Sequence, residues 1–145
     1  MSAIQDFQAN AVKAINDHTG DLKGQRSLNE LMNEQLKYLR EKDKLTQYDV
    51  DRANALLDIE VKRLALENAR QSKTKLRLRR DTQGNYSYQY TNDEEQTNQA
   101  LNDLRDAQVS LYNLDKNQLR NNLNEAYALQ NEFMQKLKEL YEQYP

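Results

Sequence analysis

The chain has almost nothing in it that breaks a helix. Its glycines are Gly20, Gly24 and Gly84, and its one proline is the last residue, Pro145. Neither residue type interrupts positions 25–83 or 85–144. Small enzymes generally need both types to turn loops around a site. The distribution therefore points to long helices rather than to a loop-built active centre. At 37% hydrophobic residues, a compact globule is thinly supplied. A seam between long helices asks for only about two or three apolar positions in seven.

Charge and residue types exclude several classes. Lys plus Arg total 21 against 23 Asp plus Glu, a net charge of −2. That near-balance fits mixed-sign helix surfaces and argues against a dedicated nucleic-acid binder. The lack of cysteine excludes a disulfide scaffold and thiolate metal or redox sites. No apolar run approaches the roughly 18 residues of a membrane span. Residues 1–6 have neither a basic start nor an apolar h-region, so no signal peptide is expected.

The expected fold class is mainly α, with long coiled-coil-type helices interrupted by one β-hairpin at about residues 75–91. Residues 1–20 read as a short helix, with Ser2 as N-cap, Ile4, Phe7, Ala11, Ala14 and Ile15 at helical spacing, and Gly20 as a left-handed stop. Residues 21–26 read as a linker. Residues 27–145 read as a helix–hairpin–helix domain that opens on a Ser27/Glu30 capping box. Its seam runs through Leu36, Val50, Leu57 and Leu64, weakened at Asp43, Thr46 and Glu60. Leu56, Ile59 and Leu66 widen the apolar face. Thr46 with Asp49 forms a second start signal, so a break or kink is expected near residues 44–47.

The period then changes from helical to alternating in residues 75–80 and 86–91. A three-residue loop, Thr82-Gln83-Gly84, sets Asp81 opposite Asn85 and places Tyr86, Tyr88 and Tyr90 opposite Arg80, Leu78 and Leu76. Asp81 then begins a type I turn, and Gly84 takes the left-handed bulge position. Leu76, Leu78 and the three tyrosines share one face, and Arg77 and Arg79 the other. A two-stranded hairpin is marginal in water, so this face is expected to anchor on a helix or a neighbouring chain.

Asn92 or Asp93 caps the last helix, and the acidic Asp93, Glu94 and Glu95 complement its dipole. Leu104 and Leu111 lie in one apolar frame. Leu119, Leu123, Phe133, Leu137, Leu140 and Tyr144 lie in another. Between the frames Asp115 either restarts the helix or sits in a stutter. The two helical segments flanking the hairpin would each reach about 75 Å. They can fold back as an antiparallel pair or extend as a rod paired with other chains.

Other candidate sites are weak. Lys73, Lys75, Arg77, Arg79 and Arg80 with the tyrosines could hold phosphates and bases, but most of the arginines face away from the tyrosines. Asp49, Asp51 and Glu60 fit three positions of a calcium loop, yet Asn54 replaces the turn glycine and Ala53 an acidic ligand. His18 has no second His or Cys with which to share a metal. No Gly-rich phosphate loop occurs. No catalytic residue, metal or cofactor is therefore assigned, and the chain is expected not to be an enzyme.

Residues 48–51, 59–69 and 73–91 together resemble a helix–hairpin–helix module of tail tape measure proteins from siphophage-type bacteriophages. The most specific part is Leu78-Arg79-Arg80-Asp81-Thr82-Gln83-Gly84-Asn85-Tyr86-Ser87-Tyr88-Gln89-Tyr90-Thr91, followed by an acidic helix start. The resemblance covers roughly residues 45–130. It implies a helical, oligomeric structural protein of the tail lumen, present in the host cytoplasm during assembly. Its implied partners are other copies, tail-tube proteins and tail chaperones. Family members are far longer, so a fragment, an excised domain or a small protein borrowing the module is expected. The alternative is a prefoldin-like chaperone or adaptor, whose β-type subunit also runs helix, β-hairpin, helix.

Overall fold

The computed structural model describes residues 2–73, 75–120 and 123–143. In chain order the elements are α1 (Ala3–Asp17), α2 (Leu22–Glu41), α3 (Gln47–Gln71), β1 (Lys75–Arg80), β2 (Tyr86–Thr91), α4 (Glu94–Leu119) and α5 (Leu123–Gln143). The fold is mainly helical with one antiparallel hairpin. Tyr144 of the expected frame lies outside the described residues.

Local chemistry sets most of the helix starts. Ser2 caps α1 in a full capping box with Gln5. Thr46 caps α3 in a second box with Asp49, so the chain breaks where this pair signals a start. Asp93 caps α4 by accepting from the N–H groups of Glu95 and Gln96. The expected linker at residues 21–26 is not one. Asp21 caps α2, and Leu22 already belongs to that helix. Ser27 consequently sits inside α2, and its hydroxyl donates to Glu60 rather than capping anything.

Each expected long segment is two helices folded on each other. Lys23 meets Glu67 at 3.2 Å and Lys42 meets Asp49 at 2.5 Å, so α2 lies antiparallel along α3. Asp115 reaches Tyr48 and Asn92 reaches Ser72, which sets α4 antiparallel to α3 on another side. The Tyr112 and Phe133 rings stack at 4.3 Å. With Leu140 packed beside Leu104, they bring α5 back along α4.

Two cores result. The larger holds Phe7 and Ala11 of α1, Leu28, Met32, Leu36 and Leu39 of α2, and Val50, Ala53, Leu57 and Leu64 of α3. The N-terminal helix is thus part of the main bundle, not a unit set apart from residues 27–145. The smaller joins Leu66 of α3, Leu104 of α4 and Leu140 of α5, with Ile59 packed against them. Ile59 and Leu66 do not widen the first seam. They stand on the opposite face of α3, as a helical repeat of 3.6 residues requires. Of the expected seam, Leu36, Val50, Leu57, Leu64, Leu104 and Leu111 are buried. Leu137 is half-buried. Leu123 is 69% exposed, a correction that follows from its place at the start of α5, before the helix reaches its contacts with α4.

Candidate functional site

The hairpin has the expected register. Leu76 pairs with Tyr90, Leu78 with Tyr88 and Arg80 with Tyr86. At the loop, the Asp81 N–H donates to the Asn85 carbonyl at 2.8 Å and the Gly84 N–H to the Asp81 carbonyl at 3.1 Å. The Asp81 carboxylate also accepts from the N–H groups of Gln83 and Asn85, at 2.9 and 2.8 Å. Gly84 has φ +86, a left-handed conformation that a side chain would strain. Asp81, Gly84 and Asn85 thus close the loop together, and Asp81 provides most of its hydrogen bonds.

Among the described residues neither strand packs against a helix. Leu76 and Leu78 are each 52% exposed, and Tyr86, Tyr88 and Tyr90 are 65–69% exposed. Of the two expected anchors, a helix or a neighbouring chain, a helix is therefore not the one among the described residues, and the apolar face lies open. Arg77 and Arg79 occupy the other face by the alternation of the strands. Arg80 shares the tyrosine face at the loop end, with its guanidinium 5.8 Å from the Tyr86 ring centre.

The base of the hairpin is fixed by a residue whose role the sequence does not reveal. Asn92 was a candidate cap for α4, but its side-chain amide donates to the carbonyls of Ala69, Arg70 and Ser72, with 2.7 Å to Ser72. These acceptors include carbonyls that the end of α3 leaves without intrahelical partners. One side chain thus ties the exit of β2 to the end of α3. The partners are some 20 residues apart in the chain, and no local pattern marks them.

A second polar cluster lies at the far end of the α3–α4 pair. Asp115 is buried and accepts from the Tyr48 hydroxyl at 2.5 Å and from Arg52 Nε at 3.2 Å. It neither restarts a helix nor marks a stutter, because α4 runs through it. Burial, reinforced by the hydrogen bond to Asp115, pushes the Tyr48 phenol up to about 12. Arg52 and Asp115 also stand at one end of a cleft of about 260 Å³ between α3, α4 and α5, which has Leu56, Ile59, Leu111 and Phe133 among its walls.

The remaining candidates have structural occupations. The Asp49 carboxylate is taken by Lys42 and Thr46, and Lys42 foremost holds it below its usual range. Burial would raise Glu60, but hydrogen bonds from Arg63 and Ser27 outweigh it and lower the carboxyl. Asp49, Asp51 and Glu60 all lie on the unbroken α3, not on a loop that could wrap a cation. Among the described residues no group of three acidic or His side chains could hold a metal ion. His18 caps the end of α1 with its Nδ1 3.4 Å from Asp21. Gly24 is a packing glycine within α2, not a linker residue. A Cβ there would collide with the Asp21 carboxylate and crowd His18. Among the described residues no helix is long and apolar enough to cross a membrane.

No protein-family model, no curated protein and no solved structure matches this chain.

Proposed function

We propose that the chain is a structural, non-enzymatic component of a phage tail, a segment of a tail tape measure protein. It acts in tail assembly and length determination by self-association and by contact with tail-tube or tail chaperone proteins. One observation carries the reading. A fully formed hairpin, closed by its own loop chemistry and clamped to α3 by Asn92, presents an apolar face that no helix among the described residues covers. Such a face on a helical scaffold suits protein contact better than catalysis. The resemblance of residues 73–91 to the tape measure module adds the tail context.

The prefoldin-like alternative is supported by the order α3, β1, β2, α4. It needs free helix tips to hold a client, whereas α2 and α5 lie along α3 and α4. Mass spectrometry of purified tails from the phage or induced prophage that encodes the chain tests the proposal. Peptides from residues 2–143 are expected in intact tails. Their absence from tails, with the chain expressed in the same cells, overturns it.

A further inference from the structure

We propose that the Leu76, Leu78, Tyr86, Tyr88 and Tyr90 face is the contact between two copies of this chain, with the hairpins stacked face to face and pointing in opposite directions. This rests on the self-association half of the proposed function and not on the tail assignment. The first support is area. From the exposed fractions of these five residues, each copy can bury up to about 600 Å² and a pair up to about 1,200 Å², which reaches the low end of specific interfaces. Two sheets pack about 10 Å apart, and three rings with two leucines per copy are enough to fill that gap.

The second support is the placement of charge. Arg77 and Arg79 pair with Gln89 and Ser87 on the opposite face, so stacking leaves them in water. The one charge on the apolar face is Arg80, at the loop end. Hairpins stacked in the same direction would bring the two Arg80 side chains together. Opposite directions separate them and set each near the base of the other hairpin. There Asp93, Glu94 and Glu95 begin α4 close to Lys73 and Lys75, so each Arg80 meets an end of mixed charge instead of a second guanidinium.

Opposed stacking centres the two-fold axis near Leu78 and Tyr88, so each Leu78 meets its counterpart. The chain has no cysteine, and single cysteines can therefore report this geometry. Treated with a short homobifunctional thiol reagent that can bridge the roughly 10 Å between stacked sheets, Leu78→Cys is expected to run as a covalent dimer, while Arg77→Cys, on the other face, stays uncrosslinked. In sedimentation velocity of the full chain, Tyr88→Asp is expected to weaken association at least roughly tenfold. Its helical circular dichroism should be unchanged, because among the described residues no helix packs against either strand. Tyr127→Asp on α5 should leave the mass unchanged.

A wild-type chain that is monomeric at its highest soluble concentration overturns both this inference and self-association. Association that survives Tyr88→Asp, or that is lost only in Tyr127→Asp, overturns the hairpin contact and leaves self-association standing. Crosslinking of Arg77→Cys in preference to Leu78→Cys overturns the stacked arrangement. Should Tyr88→Asp lose helical signal, the cysteine pair alone decides.

Discussion

The two faces of α3 are closed to different degrees. Towards α1 and α2, Phe7, Ala11 and Leu28 have no exposed surface at all. Towards α4 and α5, Leu66 and Leu104 are buried, but α5 adds only Leu140 as a buried residue among those described. Leu123, Tyr127, Met134 and Tyr141 of that helix stay 46–69% exposed. Both regions have apolar residues at helical spacing. Periodicity therefore names the residues that want cover, and the path of the chain decides which of them receive it. Here α1 and α2 arrive through capped turns that press them onto α3. By contrast, α5 meets α4 along one edge of a broader apolar arc.

The largest expected effect breaks the closed side. Phe7→Ala should cost about 3–5 kcal/mol of unfolding free energy in urea titrations, and Leu140→Ala about 2 kcal/mol, the lower end for such truncations. Equal losses would mean that the two cores are equally closed. Next comes the polar cluster around buried Asp115, at the far end of the α3–α4 pair. Asp115→Leu leaves the Tyr48 hydroxyl and Arg52 without their acceptor and should cost about 1–3 kcal/mol.

The same cluster gives a pH dependence. The folded state holds the Tyr48 proton more tightly than the unfolded chain does, up to about 12. Its contribution is complete below about 10, the ordinary tyrosine value, and is lost as pH rises towards 12. Alkaline unfolding followed by circular dichroism should be shallower in Tyr48→Phe.

Smaller effects sharpen the contrast. Asn92→Ala should cost about 1 kcal/mol and speed amide exchange in β1 and β2 more than in α2. At the open surface, Tyr127→Ser should change stability by no more than about 0.5 kcal/mol. A larger loss would show that the outer face of α5 is already packed.

The most legible parts of the sequence were those fixed by neighbours. The hairpin register follows from alternation plus the loop chemistry of Asp81 and Gly84, all within 17 residues. The starts of α1 and α3 follow from capping boxes four residues long. What remained hidden depends on contacts distant in the chain. The reversals between α2 and α3 and between α4 and α5 contain no glycine or proline, so Thr46 with Asp49 left a break or a kink equally open and the step from Leu111 to Leu119 read as a change of frame. Gly24 looks like a linker residue until Asp21 and His18 are seen to close on it. Asn92 looks like a cap for the helix that follows it, although it serves the helix before.

α3 shows Leu57 and Leu64 to one core and Leu66 to the other. If either flanking layer lifts away, the helix keeps half of its cover. Its central amides should therefore be the last to exchange, and they should do so only when the whole molecule opens. The clamp at Asn92 connects the hairpin to the end of this same helix. Force applied at the hairpin would thus enter the molecule through its most protected segment.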